Sequence, residues 1–334
     1  MDFYSKLANK PKLFLSITGM HLHTFQKLLP QFEEAFLALE RQRKQRTVRS
    51  NSPRLRRIGG GRSFNNDLAN RLLMLLLYYR LYLTQDFLTL LFQAQNKSLI
   101  CRNIQLMKVV FETVLLTPER AKKRILSLAK TEVQRRKKRI GSIEEFKQAY
   151  PELTFIIDGV EQPKRKPKDK QKRKNDYSGK KRRHTLKQIL SSTPNGIIVD
   201  QSPSCGGRKH DFQVFKEDQA KRQPFEDFKE HRVSLYGDSG FQGMQEMELG
   251  VEVRLIKRGR KNHPLTREEK KLNRLRSSTR VKVEHTISRR KKYGIASQEY
   301  RNLDGDYDQA MNIVAGLVNL RAYERVYQRT GVEM

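Results

Sequence analysis

Five short apolar runs after residue 151 constrain this chain more than any other feature: LTFIID, HTLKQILSS, GIIVDQS, RVSLYGDSG and VEVRLIKRG. Each has the length and β-branched content of a strand, and each is bounded by Gly, Pro, Asn or Asp. The second and third are joined across Thr193-Pro194-Asn195-Gly196, which reads as a hairpin turn. Helical segments lie between and after the others. The expectation is therefore an α/β domain built on a mixed sheet flanked by helices, and no internal repeat is visible.

What precedes residue 150 has a different texture. Residues 21–46 place Leu22, Phe25, Leu28, Leu29, Phe32, Phe36 and Leu39 at spacings of three and four, predicting one or two amphipathic helices interrupted near Pro30. RTVRSNSPRLRRIGGGR, residues 46–62, is basic and aperiodic and reads as a flexible linker or arm. From Asp67, DLANRLLMLLLYYRLYLT, TQDFLTLLF and SLICRNIQLMKVVFETVLL predict three helices, with Thr84 and Ser98 placed as caps of the second and third. Helix, short helix, tight turn and helix is the plan of a helix-turn-helix, whose last helix, with Arg102 and Lys108, would enter a major groove. An ordinary helical bundle fits the same pattern. The following TPERAKKRILSLAKTEVQRRKKRIGSIEEFKQAYPEL reads as a helical, solvated connector. The expected divisions are 1–62 (helices and linker), 63–150 (helix-turn-helix region and connector), 151–325 (α/β domain) and 326–334 (tail).

Charge narrows the partners. The 334 residues hold 69 Lys and Arg against 36 Asp and Glu, a formal +33, and such a surface binds polyanions by releasing their counterions. Nucleic acid is the first partner to consider, although charge alone also fits a generic basic protein. Cys101 and Cys205, the two cysteines, lack zinc-site spacing and point to a reducing compartment. The N-terminus MDFYSKLANKPK lacks the apolar core of a signal peptide. The apolar stretch Leu72–Leu83 is broken by Arg80 and falls short of the roughly 20 residues a bilayer span needs. A soluble intracellular protein with no membrane partner is expected.

The chemistry-bearing residues are carboxylates. Asp158 ends LTFIID and Asp238 ends RVSLYGD, each with glycine close behind. Sites in open α/β sheets lie beyond strand ends, so two neighbouring strands would bring the two acids together. Such a pair is costly without a cation between its members, and a hard divalent ion such as Mg2+ suits carboxylate and phosphate oxygens. For a third acid, Glu252, Glu268, Glu269 and Glu284 are candidates. Glu284 is favoured because Arg280, Glu284 and Lys291 stand at i, i+4 and i+11 on one helical face, a pattern that an exposed charged helix also produces. His210-Asp211 reads as a structural or supporting pair, Asp200 as structural and Glu161 as a supporting residue.

Between Asp158 and the hairpin runs KRKPKDKQKRKNDYSGKKRRHTLK, dense enough in Lys and Arg for backbone contacts without base reading. Residues 164–175 read as a disordered basic tail. YSGKKRRH leads directly into a strand and reads as an ordered phosphate clamp, with Lys180, Lys181, Arg182, Arg183 and, further on, Lys187 as its cations. Tyr177 is placed to stack on an exposed base.

Taken together, IDG at 157–159, YSGKKRRHTLK at 177–187, HDF at 210–212, GDSGFQG at 237–243 and RVKVEHTISRRKKYG at 280–294 resemble, in this order, the DDE transposases of bacterial insertion sequences, in the insertion-sequence-five-like branch. The resemblance covers residues from about 67 to 325. It implies a ribonuclease H-like catalytic core preceded by an all-α helix-turn-helix region. It also implies that Asp158, Asp238 and Glu284 are catalytic ligands of two Mg2+ ions, for which Mn2+ can substitute. Arg280, Glu284 and Lys291 match a Tyr, Arg, Glu, Lys signature whose tyrosine position is Ser277 here. The implied activity is cleavage at terminal inverted repeats and joining of the 3′-OH to target DNA by two-metal phosphoryl transfer. Arg280 and Lys291 would position phosphates, the protein would act as a dimer or higher oligomer, and it would be cytoplasmic and nucleoid-associated. A catalytically silent, transposase-derived DNA-binding protein or repressor is the alternative, and an RNA-processing nuclease a third.

Overall fold

The computed structural model describes residues 3–47, 67–137, 153–228, 233–259 and 264–330; from residue 48 onward the expected linker lies outside them. Two compact units emerge, Met1–Leu115 with Tyr293–Ile295, and Leu116–Lys292 with Ala296–Met334.

The first unit is helical: α1 (Phe3–Ala8), α2 (Pro11–Thr18), α3 (Leu22–Thr47), α4 (Leu68–Leu81), α5 (Gln85–Leu91) and α6 (Lys97–Val114). LLMLLLYY has no polar face, and a helix apolar all round has to be enclosed. Accordingly, every residue of α4 from Ala69 to Tyr79 is buried. Arg71, carried inside with it, donates to Asn103 Oδ1 at 2.7 Å and lies over the Phe36 ring. Burial pushes its guanidinium down to about 10. The break expected near Pro30 is absent, since α3 runs through it. Phe25 and Phe32 on either side are fully buried and pack on Phe14 and Phe111, which offsets the one backbone hydrogen bond that proline removes.

Thr84 caps α5 as expected, accepting from Phe87 N at 3.2 Å. Asn96 rather than Ser98 caps α6, accepting from Leu99 N at 3.1 Å. Both are good capping residues two positions apart, and the helix starts at the earlier one.

The second unit contains α7 (Pro118–Lys137), β1 (Leu153–Pro163), α8 (Lys170–Asp176), β2 (Tyr177–Ser178), β3 (Arg183–Ser192), β4 (Ile198–Gln201), β5 (Cys205–Gly206), α9 (Asp211–Arg222), β6 (Val233–Gly237), β7 (Glu252–Leu255), α10 (Arg267–Lys291) and α11 (Tyr307–Thr330). Its sheet has the order β2-β3-β1-β6-β7, with β4 and β5 also on β3. β1 is antiparallel to β3 and parallel to β6, which is parallel to β7. The hairpin forms as expected: β3 and β4 pair antiparallel, and Gly196 takes the left-handed φ of 86° that the turn between them demands.

Phe155, Ile157, Ile189, Val199, Leu235 and Leu255 from the sheet share one core with Val214 and Phe215 of α9. The first turns of the expected solvated connector instead pack on this unit, while its residues 138–152 lie outside the described ones. Ala121 of α7 is buried, and Leu116, Ile125 and Leu126 pack on the same core. Buried Asn319 of α11 ties these layers together, accepting from Ile198 N at 2.6 Å and donating to the Leu116 and Ile198 carbonyls. Among the described residues no helix is long and apolar enough to cross a membrane.

Candidate active site

Strand register sets two carboxylates side by side. β1 and β6 pair in parallel from Leu153 with Val233 to Ile156 with Tyr236. Two residues beyond that last pair stand Asp158 and Asp238, on the same face as Ile156 and Tyr236 because side chains alternate along a strand. β1 does not end at Asp158, as its sequence suggested, but continues to Pro163 against β3, with Asp158 opposite Leu190. It is β6 that stops. Gly237 closes it, and Asp238 turns the chain into a short 3-10 segment, accepting from Gly240 N at 2.7 Å. Asp158 therefore lies where β1 loses a neighbour, open on one side and walled on the other.

That position is unfavourable for a charge. Burial, first, and the fields of Asp238 and Asp211 raise the Asp158 carboxyl, while the Gly159 amide and Arg280 oppose them; the result is a pKa of about 6 against an ordinary 3.8.

Helix α10 supplies the next groups. Val283, Thr286, Ile287 and Arg290 form its buried stripe, at spacings of three and four, and the helix packs on β1. Arg280 and Glu284 stand one turn apart beside this stripe and are ion-paired to each other, with Glu284 about half exposed. Lys291, further along, has its ammonium pushed down, by desolvation first and by Lys181 and Arg290 after it, while Asp158 and Glu161 pull the other way. The structure thus brings Asp158, Asp238, Arg280, Lys181 and Lys291 into one electrostatic neighbourhood.

Glu284 is held by Arg280. Among the described residues no three His, Cys, Asp or Glu side chains form a group able to hold a metal ion. The chemistry of Asp158 and Asp238 fits a hard divalent cation, because their mutual repulsion is the kind such an ion relieves. A third carboxylate from Glu284 would have to exchange Arg280 for that ion.

Two of the expected DNA-contacting cations are corrected by burial. Lys108 is 2% exposed inside the helical unit, on the same face of α6 as Ile100, Ile104 and Phe111, so it does not face outward; Arg102, on the opposite side, does. Lys187 is 5% exposed. It lies across from Glu161 in the β1–β3 register, pairs with Asp211 at 2.8 Å and Glu161 at 3.3 Å, and donates to the Lys209 carbonyl. With three anionic or carbonyl partners it has no donor left for a phosphate. Lys180, Lys181, Arg182 and Arg183 are exposed in and beside the β2–β3 turn. Asp200 reads as structural, half-buried and forked by the Arg222 guanidinium at 3.1 Å.

Sequence reasoning undervalued Asp211. It opens α9 and lies against Gly159: a Cβ at residue 159 would come within 2.5 Å of its Oδ2. The glycine after Asp158 thus makes room for a third carboxylate, anchored by Lys187. A Gly159→Ala substitution is expected to displace Asp211 and cost about 1–3 kcal/mol, read as an earlier denaturant midpoint. The signal that could have found Asp211 is the pairing of a strand lysine with two acids, which depends on register. The segment 164–175, read as a disordered tail, is ordered. Lys164 is buried between Asp176 and Asp304, and α8 is capped by Asp169, which accepts from Lys172 N at 2.7 Å. From Asp238 and Asp211 to α8 runs an open groove of about 1130 Å³.

Asp158 within β1 and Asp238 just past the end of β6 stand side by side, α10 with Arg280 and Glu284 packs on β1, and residues 157–319 match the family model of the DDE superfamily endonucleases. Over residues 157–319 of its 334 the chain resembles that superfamily. The chain is 31% identical over 181 residues to a probable transposase for insertion sequence element IS702 from Microchaete diplosiphon, a match covering 54% of this chain and 61% of the relative. This chain is thus similar to a DDE transposase of an insertion sequence. No solved structure matches it.

Proposed function

We propose that the protein is a transposase that cuts DNA at the terminal inverted repeats of an insertion sequence and joins the freed 3′-OH to target DNA. The observation that carries this reading is the register that sets Asp158 beside Asp238 at the end of a cationic groove. Support for a ribonuclease H-like core comes from the strand arrangement: β4, β3 and β1 are successively antiparallel, and β6 and β7 add in parallel beside β1. The short turns between α4, α5 and α6 support a helix-turn-helix, with exposed Arg102 on α6 as a DNA contact.

Asp158, Asp238 and Glu284 would hold divalent metal, Mg2+ or Mn2+, with two ions the natural number for strand cleavage and joining in one site. Such ions supply an activated water and charge stabilisation at the leaving 3′ oxygen. The chain's own contribution is to bind and align DNA. Lys291 and Lys181 converge near Asp158 and take the phosphates on either side of the scissile bond. Arg280, once it leaves Glu284 for a phosphate oxygen, frees the third carboxylate. Two ends must meet for transposition, which calls for a dimer or higher oligomer.

The Arg280–Glu284 pair also favours a second reading, a DNA-binding protein or repressor that no longer cuts, because one ligand is held away from metal in the free protein. The deciding experiment is cleavage of labelled duplex bearing the element's inverted repeats, with and without Mg2+, beside Asp238→Ala. Mg2+-dependent nicking at the repeat ends, lost by about a thousandfold or more in the variant, is the expected result. Specific binding with no nicking under any divalent ion selects the second reading.

A further inference from the structure

The groove that opens from Asp238 has a second end that the cleavage reading leaves unused. Its far wall is α8 together with the residue that ends it. Lys170, Arg173, Lys174 and Tyr177 all line the groove, and their spacing of i, i+3, i+4 and i+7 is that of a single helical face. Lys166, Lys170 and Lys174 have no acidic partner among the described residues, so their charge is available to an anion. Tyr177 is 45% exposed. It is held by the two-residue ribbon to β3, opposite His184, whose ring meets it at 70° rather than lying flat on it.

This wall is fixed in place. The Lys164 ammonium is clamped between Asp176 and Asp304, and the end of α8 is packed so closely on β5 that a Cβ at Gly206 would fall 2.4 Å from the Asn175 carbonyl oxygen. Arg208, another lining residue, donates its amide to that same carbonyl at 3.1 Å.

A row of cations without carboxylate partners, Arg173 donating only to the Pro167 and Lys168 carbonyls, leading to one open aromatic ring is the arrangement that holds a single strand. The cations follow the phosphates without reading sequence, and the ring stacks on a base that a duplex would keep inside. We infer that the α8 wall is a single-strand subsite, in which Lys166, Lys170, Arg173 and Lys174 carry the backbone of an unpaired DNA strand and Tyr177 stacks on one of its bases. The inference rests on the proposed DNA-cutting function for its meaning, since it places unpaired nucleotides next to the scissile phosphate. Its binding chemistry is independent of metal.

The test uses the full chain without divalent ion and a short thymidine oligomer carrying one 2-aminopurine. The wild-type protein is expected to bind the oligomer and quench its fluorescence by stacking. Tyr177→Ala should lose the quench and bind about tenfold more weakly, while Tyr177→Phe keeps both. The double variant Lys170→Gln/Lys174→Gln should keep the quench but reduce the slope of log affinity against log salt by about 0.7 per charge removed. The inference is overturned by an undiminished quench in Tyr177→Ala, by equal competition from a duplex of the same length, or by failure of the wild-type protein to bind the oligomer. A protein that cuts repeat-bearing duplex yet ignores the oligomer overturns this subsite and leaves the cleavage reading intact. One that quenches through Tyr177 but never cuts does the reverse.

Discussion

Asp158→Asn is expected to abolish metal-dependent DNA cleavage and, in the absence of metal, to make the sheet unit harder to unfold at neutral pH. Both effects come from the same placement. The carboxyl lies where β1 outruns β6, half-buried and in the fields of Asp238 and Asp211, and burial leads the causes that lift its pKa to about 6 from an ordinary 3.8. A carboxyl whose folded pKa exceeds its unfolded one contributes fully to stability below the unfolded value, and loses that contribution as pH rises through the folded one. Below about pH 4 wild type and variant should therefore unfold alike, and above about pH 6 the charge costs the wild-type protein up to about 3 kcal/mol. Asparagine keeps the acceptor that Gly159 N uses at 2.8 Å and removes the charge. Thermal unfolding across pH without divalent ions should show the variant several degrees more stable above pH 6. Equal melting temperatures at pH 7.5 would contradict the placement of Asp158. Addition of Mg2+ should raise the wild-type transition, by linkage to binding, more than that of the variant.

Lys187→Met should have the opposite sign and a larger size. Methionine matches the length of the lysine stem but leaves Glu161 and Asp211 facing each other across β1, β3 and α9 with no cation between them. Removing one member of a buried ionic group leaves uncompensated charge, at a cost of about 3–5 kcal/mol. Glu161 shows how closely this group is balanced: burial pushes its carboxyl up, and the hydrogen bonds from Ser178, Thr185 and Lys187 with the lysine's charge more than reverse it. Its depressed pKa contributes stability above the ordinary 4.5 that is lost as pH falls through the lowered value. The raised pKa of Lys187 contributes stability below its ordinary 10.5 that is lost as pH climbs through the raised value. The difference between wild type and variant should thus be widest between those limits and shrink in acid. Urea denaturation at pH 7 and pH 3 checks this, and adding Glu161→Gln to Lys187→Met should recover part of the loss at pH 7.

The strands, the hairpin and the two aspartates were legible because they depend on local pattern: alternation, a Pro-Asn-Gly turn, and an acid followed by glycine at the end of an apolar run. What was not legible depends on register or on packing. Lys187 reads as a surface cation until β1 and β3 are aligned and Glu161 falls directly across from it. The extension of β1 through Val160 to Pro163 has the polar composition of a loop and is a strand because β3 runs alongside. Lys108 reads as a DNA contact in the sequence because the charge of a helix lysine says nothing about which side it faces, and it is buried. Residues 164–175 look too basic to fold, yet burial of Lys164 against Asp176, just beyond them, anchors them, and one such position does not alter the composition of the stretch. At the site itself, spacing placed Glu284 on the same helical face as Arg280 and also allowed the i, i+4 ion pair that forms between them.

The clamp on Lys164 has a consequence for energetics. Asp176 and Asp304 both grip one ammonium, so the segment from 164 to 176 is a loop closed at its base by charge, much as a crosslink would close it. The conformational entropy of arranging its lysines is surrendered once, when the chain folds, and not again at each encounter with a ligand. Whatever enters the groove meets a surface whose shape was settled in advance. Affinity there should accordingly depend on contacts made and ions released, with little penalty for ordering the protein.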